Sequence, residues 1–354
     1  MSSLDDPTFP VLSNNLALVD DTRATLRAVM RGKPAIERVY GVVRARAATR
    51  YAPVTVASLI EPRDREVLAG SQVVSGAFTR QAWDEYVQDA FKAASEGELR
   101  SADWVLGTQM SDDASIAGSP AQVRAALTDL YKTEYVREWQ RFLQGVTVTG
   151  FNDLPLAVQH LDRLSDGVAS PLRRVLVQVN DQTAWDNPAL LNERLNKASS
   201  GVVDWFKRSI LRQAPARIEV GVDVRGAGVE VPLGPIGREF AGLHRLMAPR
   251  DTQAPPVDDY LKALGAVRAR FLQVKQQGDP GPLARRLMGA TLEGSSSELT
   301  DAVRMVDERL LSGMTDSLRQ ALRPLLVRPM QQAFSTLVAP TEVEINRAWA
   351  AQVM

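Results

Sequence analysis

The sequence predicts a mainly α protein, built as multi-domain helical bundles with a small β-hairpin or short-strand element. Two observations predict it. Apolar residues recur at three- and four-residue spacing over most of the chain, and helix-capping residues stand where several of these patterns begin. With 354 residues, of which 45% are apolar, the chain is long enough to bury a core in about two or three domains.

Residues 1–34 are predicted to form an N-terminal helical lead-in, and residues 35–186 a first helical domain. Early in this domain, residues 54–60 predict a short strand or a loop. Thr79 then stands where a helix N-cap is expected, ahead of an apolar stripe that begins with Trp83.

The longest predicted helix follows in the same domain. It opens at a capping box that Ser119 forms with Gln122, and it ends at Gly145. Its apolar stripe, spaced as on one helix face, predicts the centre of the domain rather than a cofactor pocket, and includes Tyr131, Tyr135, Trp139 and Phe142. Residues 146–149 alternate as a short strand, and two further helices begin at Asp153 and Ser170.

Residues 187–255 are predicted to be an irregular connecting segment. The alternation of apolar and polar residues at 217–224 resumes at 229–231, after a glycine-rich turn. This pattern predicts a β-hairpin, or a disordered excursion with some β tendency.

Residues 256–354 are predicted to form a second helical domain. Its last helix is expected to start at a capping box of Thr341 and Glu344, with Ile345 and Trp349 on the face behind it. The chain stops within this helix, which suggests a fragment of a longer protein.

The composition excludes several kinds of chemistry. The chain has no cysteine, which excludes disulfides, zinc–thiolate sites and a thiol nucleophile. His160 and His244 are its only histidines, so a multi-histidine metal site is excluded too. We interpret His160 as a helix-surface or core residue, and neighbouring carboxylates such as Asp307 and Glu308 as parts of solvated faces. We therefore predict no catalytic, cofactor-binding or metal-binding residue, and no cofactor.

The charge and hydropathy patterns exclude two kinds of partner. Lys and Arg number 42, as do Asp and Glu, so a net charge of zero gives no electrostatic drive toward nucleic acid. No apolar run approaches the ~20 residues that span a bilayer, and the N-terminus does not resemble a signal peptide.

Five short phrases stand out in order along the chain. They are Gly76-Ala77-Phe78-Thr79 with Trp83, Asp103-Trp104-Val105-Leu106-Gly107, Leu130-Tyr131 with Tyr135, Trp139 and Phe142-Leu143, Ser170-Pro171-Leu172-Arg173-Arg174, and Glu344-Ile345-Asn346-Arg347-Ala348-Trp349. Together they resemble the C-terminal, periplasmic part of the IcmF/TssM family, the inner-membrane component of bacterial type VI secretion systems. The resemblance is strongest over residues 35–180 and returns over 256–354.

The resemblance implies a non-enzymatic periplasmic scaffold of the secretion system's membrane complex. Such a scaffold would self-associate and join an inner-membrane platform, with TssL as partner, to the outer-membrane lipoprotein TssJ. In the family TssJ is contacted mainly by a C-terminal β-domain, and the sequence is expected to be truncated before it. The matched aromatics are expected to be structural core residues, namely Trp83, Trp104, Tyr131, Tyr135, Trp139 and Phe142.

Two other hypotheses stay open on the sequence. The first is a periplasmic cell-wall hydrolase, which requires two carboxylates at glycosidase spacing or an equivalent nucleophile pair. The second is a helical adaptor protein of the cytosol whose similarity to the family is accidental.

Overall fold

Helices make up most of the part of the chain that the structure, a computed structural model, describes: residues 35–96, 119–187, 233–249 and 253–353. In chain order they are α1 (Ala35–Arg50), α2 (Val56–Leu59), α3 (Arg80–Ala82), α4 (Gln88–Ser95), α5 (Pro120–Gly145), α6 (Leu154–Ser165), α7 (Pro171–Thr183), α8 (Pro235–Glu239), α9 (Ala241–Met247), α10 (Pro256–Gln276), α11 (Gly281–Leu292), α12 (Glu298–Met305), α13 (Asp316–Ser335) and α14 (Val338–Val353). The predicted mainly α fold class is confirmed.

Two short strands pair in an antiparallel sheet. They are β1 (Leu68–Gly70) and β2 (Val146–Val148), in a register that sets Leu68 opposite Val148. The strand predicted at 146–149 is thereby confirmed, although its partner comes from far earlier in the chain. The hairpin predicted within 217–231 lies outside the described residues.

By its contacts the described chain divides into two compact units. Unit 1 comprises the described residues within Met1–Ala47 and Asp84–Tyr131, and unit 2 those within Ala48–Trp83 and Lys132–Met354. Helices α1 and α5 each run through a boundary between the units. The domain boundaries predicted at 34, 186 and 255 stay a prediction.

Unit 1 has a small aromatic core of its own. The ring of Phe91 on α4 lies 6.3 Å from Tyr40 on α1, and it meets Tyr131 on α5 edge-to-face at 6.0 Å. All three side chains are buried. Offset and edge-to-face ring pairs of this kind add to the free energy gained by burying their surface.

Unit 2 is a helical bundle in which α6 packs on α10 and α11 packs on α14. A buried hydrogen bond ties α10 to α13, because the Tyr260 hydroxyl donates to the Leu326 carbonyl at 2.8 Å. Burial also raises the pKa of Tyr260, so the hydroxyl keeps the proton it donates. Helix α13 is continuous although Pro324 and Pro329 lie inside it.

Two predictions of local structure are wrong. Residues 54–60, predicted as a strand or a loop, contain helix α2. Thr55 and Ser58 cap the start of this helix with a reciprocal capping box. The last helix begins at Val338, so Thr341 is not its N-cap. Instead the Thr341 N–H donates to the Leu337 carbonyl at 3.1 Å.

Candidate functional site

The part of α5 that belongs to unit 2 carries an aromatic cluster. Trp139 lies 6.4 Å from Tyr135 and meets Phe142 edge-to-face at 5.4 Å. Trp185 joins the cluster by meeting Tyr135 edge-to-face at 5.6 Å and by stacking on Trp83 at 4.5 Å. The cluster therefore joins α5 to Trp83, which directly follows α3, and to Trp185, which lies in the turn after α7.

Two rings of the cluster also donate hydrogen bonds to backbone carbonyls of other segments. The Trp139 indole N–H donates to the Phe78 carbonyl at 2.9 Å, and the Tyr135 hydroxyl donates to the Gln182 carbonyl at 2.6 Å. The Gln182 side chain in turn accepts the Arg80 N–H at 2.7 Å. These bonds fix the position of each segment relative to α5, because a buried donor without a partner is costly.

Five of the six aromatics predicted as structural core fall within the described residues. Trp83, Tyr135, Trp139 and Phe142 are buried in unit 2, and Tyr131 is buried in unit 1. Trp104 lies outside the described residues.

Sequence reasoning missed Trp185 and its neighbour Asp186. They form a short 3₁₀ turn, Ala184–Asp186, at the end of α7, where no helical periodicity marks them. The clue available in the sequence was a tryptophan placed just before the pattern loosens. In the structure the Trp185 side chain is buried, and its indole nitrogen has no hydrogen-bond partner among the described residues.

Asp186 is the centre of a buried polar clasp. One carboxylate oxygen accepts the Lys132 ammonium group of α5 at 2.7 Å, and the other accepts the Ile236 N–H at the start of α8 at 3.0 Å. The Gly234 N–H also donates to the Asp186 carbonyl at 3.2 Å. A side chain at Gly234 would collide with the carboxylate, which explains the glycine there. The clasp brings residues 186 and 234 together at one place in unit 2.

A second carboxylate joins three segments of unit 2. A single Glu239 oxygen accepts hydrogen bonds from the Gln140 amide at 2.7 Å, the Thr315 hydroxyl at 3.0 Å and the Ser317 hydroxyl at 2.6 Å. These donors come from α5 and from the start of α13. Like Asp186, Glu239 is committed to holding segments together.

The described residues show the two histidines in structural surroundings. His160 on α6 is 4% exposed and meets the Phe151 ring edge-to-face at 5.3 Å. Burial lowers the pKa of His160, and nearby Glu66 opposes the shift more weakly. His244 Nδ1 lies 2.7 Å from the Asn180 side-chain oxygen.

One of the neighbouring carboxylates considered in the sequence, Asp307, is engaged by an arginine. Asp307 accepts a bidentate pair of hydrogen bonds from Arg323 at 2.7 and 2.9 Å. Across residues 35–96, 119–187, 233–249 and 253–353, no three histidine or acidic side chains come together as a metal site. None of the helices in these ranges combines the length and apolarity that a bilayer crossing requires.

The model of the IcmF-related family, described as intracellular multiplication and human macrophage-killing, matches residues 2–184, which is more than half of the chain. The chain belongs to the IcmF-related family. The resemblance drawn from short sequence phrases is thereby confirmed.

Similarity to individual proteins extends over nearly the whole chain. It is 24% identical over 352 residues to the type VI secretion system component TssM1 of Pseudomonas aeruginosa, covering 95% of this chain and 29% of that protein. The chain therefore spans less than a third of this relative.

Two solved structures share the fold. A chain of a type VI secretion system membrane core complex matches with a TM-score of 0.62 at 21% identity, over 90% of this chain and 53% of that one. A chain of a type VI membrane complex matches with a TM-score of 0.53 at 18% identity, over 89% and 51%.

Two of the phrases that resemble the IcmF family have structural roles in unit 2. Gly76 lies so close to the Tyr51 carbonyl that a side chain would collide with it. Thr79 caps α3 by accepting the Ala82 N–H at 3.1 Å. Ser170 caps α7 and donates to the Leu164 carbonyl at 2.7 Å.

The two arginines that end the phrase Ser170-Pro171-Leu172-Arg173-Arg174 make ion pairs. Arg173 pairs with Asp258 at 3.3 Å, and Arg174 pairs with Glu61 at 2.6 Å. The phrase thus joins α7 to the start of α10 and to the segment after α2.

Two surface features of unit 2 take no part in the contacts described above. One is a groove of about 520 Å³ between α6 and α10, lined among others by Pro155, Leu156, Asp162, Arg268, Leu272 and Lys275, which we call the α6/α10 groove. The other is a stripe on α14 formed by Val338, Glu342, Ile345 and Trp349, which we call the α14 stripe. Ile345 is 51% exposed and Trp349 66%, so neither side chain is buried in a core.

We expect Trp139→Ala to lower the free energy of unfolding by about 3–5 kcal/mol, because it leaves a cavity and removes the donor to the Phe78 carbonyl. Urea denaturation of the chain measures this. The control Trp349→Ala removes the same side chain from an exposed position and should change stability by less than about 0.5 kcal/mol. Equal effects of the two substitutions would contradict the buried cluster.

We expect Asp186→Ala to cost about 3–5 kcal/mol, because it leaves the largely buried Lys132 ammonium group without its carboxylate. Thermal denaturation tests this against Asp316→Ala, whose pair with Arg319 is exposed and should contribute at most about 0.5 kcal/mol. A negligible effect of Asp186→Ala would show that the clasp does not hold the fold.

We expect His160 to weaken the fold as the pH falls below 6.5. Above that pH the imidazole is neutral in both the folded and the unfolded chain, so it contributes no pH dependence. Below it the unfolded chain takes up the proton first, because the pKa of the folded state is lowered. Urea midpoints between pH 7.5 and 5 should therefore fall more steeply for the native chain than for His160→Gln. Parallel curves would contradict this.

Proposed function

We propose that this chain is a non-enzymatic scaffold segment of a type VI secretion system membrane complex. The observation that carries the proposal is the similarity to TssM1, which runs through 95% of the chain and not only through the part matched by the family. The likeness to chains of two type VI membrane complexes supports the same fold for such a segment.

The polar contacts of unit 2 support a structural role. The Asp186 carboxylate accepts two hydrogen bonds and the Glu239 carboxylate three, all from neighbouring segments. A general acid or base must reach a substrate proton, whereas the bonds of these carboxylates are made to groups of the protein itself. These hydrogen bonds hold the helices of the bundle together.

The finer features of the function are part of the same proposal. The segment lies in the periplasm as part of an inner-membrane protein. It self-associates, and it links TssL at the inner membrane to the outer-membrane lipoprotein TssJ. A region beyond this segment makes the main contact with TssJ. The helical bundle supplies the rigid body that such a link requires.

Isolation of the full-length protein from its own membrane tests the proposal. Two copies with different tags are expressed together, and one tag is used for purification in mild detergent. We expect the second copy, TssJ and TssL to co-purify. A protein that reaches the membrane but is recovered without any of the three would contradict the scaffold role.

The absence of catalysis needs its own experiment. Purified full-length protein is incubated with peptidoglycan, and soluble fragments are measured beside a known cell-wall hydrolase as positive control. We expect no release above the buffer control. Release that scales with protein concentration would instead support the hydrolase hypothesis.

A further inference from the structure

The α14 stripe has the form of a docking surface. Its four residues follow one another at spacings of four, three and four, which places them on one side of the helix. Three are apolar and at least half exposed, and the fourth, Glu342, is exposed and makes no ion pair with any described residue. Tryptophan is among the residues that are enriched in interface hot spots.

Helix α14 holds this stripe outward by contacts on its other side. Thr341 is buried, and Glu344 lies against Gly281 at the start of α11. Arg347 pairs with Asp279 and with Glu344. The pKa of Asp279 is lowered by the Gly281 N–H and then by Arg347, so the pair stays charged at neutral pH. The orientation of the stripe is thereby fixed.

The α6/α10 groove has the complementary character. Leu156 and Leu272 provide an apolar floor, and Pro155 provides an exposed apolar edge. Asp162 and Arg268 pair with each other at 3.0 Å. Lys275 is exposed and, within the described part of the chain, has no acidic group within ion-pairing distance.

We propose that the α14 stripe docks into the α6/α10 groove of a second copy of this chain, an inference that rests on the proposed self-association. Ile345 and Trp349 cover the leucine floor, and Glu342 pairs with Lys275. The two surfaces are complementary in two ways. Apolar side chains of the stripe meet the apolar floor of the groove, and an unpaired carboxylate meets an unpaired ammonium group. A groove of about 520 Å³ is of the size that accepts such side chains.

This contact joins two different patches. Where two copies make it only once, it is heterologous: it leaves the groove of one copy and the stripe of the other free, and repetition builds a ring if the rotation closes and an open filament if it does not. A reciprocal pair of these contacts about a two-fold axis, or a contact of α14 with α14, would instead stop at a pair. The heterologous arrangement is the one that suits the assembly of several copies.

Photocross-linking in the full-length protein tests the contact directly. A photoreactive phenylalanine analogue replaces Trp349, and a second copy with another tag is expressed beside it. We expect cross-linked peptides from α6 or α10 of the second copy. Cross-links to α14 of the second copy, to another protein or to a part of the same chain would overturn the proposal, and so would the absence of any cross-link.

Substitutions test the energetics of the same contact. Ile345→Ala combined with Trp349→Ala should weaken self-association of the full-length protein about tenfold or more. The matched control is Val343→Ala on the same helix, also exposed but two residues from Ile345 and therefore on another side. It should leave self-association unchanged. Equal effects of the control and the double variant would overturn the proposal.

A charge exchange tests the proposed ion pair. Glu342→Lys and Lys275→Glu should each weaken self-association, and the two together should restore it. Failure of the combination to restore it would overturn the pairing. Retention of TssJ and TssL by these variants separates the two questions, because it leaves the proposed function standing when only the interface fails.

Discussion

The fold of unit 2 depends on the hydrogen bonds by which three of its large buried aromatic side chains reach backbone carbonyls of other segments. Trp139 donates to the Phe78 carbonyl, Tyr135 to that of Gln182, and Tyr260 to that of Leu326. An unmet buried donor costs about 1–3 kcal/mol, so the three bonds determine where the acceptor segments lie. Apolar packing alone would be less selective, because it is not directional.

Hydrogen-bonded carboxylates between the helices connect the fold to the proposed role. Asp186 and Glu239 use their carboxylates to hold α5, α8 and α13 in place. A bundle fixed by buried bonds of this kind suits a part that must keep its shape while partners attach to its surface. Exposed apolar and charged groups are found on the outside, among them those of the α14 stripe and of the α6/α10 groove.

The sequence predicted what local physics determines. Ser119, Asp153 and Ser170 each cap the helix expected of them, because a side-chain oxygen satisfies a free N–H at the helix start. The pairing of β1 with β2 was not predicted, because a three-residue strand carries little pattern and its partner is distant in the chain. Trp185 and Asp186 were missed because they lie in a turn. Ile345 and Trp349 were expected on one face of the last helix, and spacing defines such a face without telling whether anything covers it.

Hydrogen exchange of the backbone amides tests the aromatic anchoring most directly. If the bonds of Tyr135 and Trp139 anchor unit 2, the amides of α5 from residue 135 to 143 should exchange only when unit 2 unfolds as a whole. Those of α14 beyond residue 345 should exchange by local opening, at a much lower free energy. Exchange of both segments at the same low free energy would contradict the account.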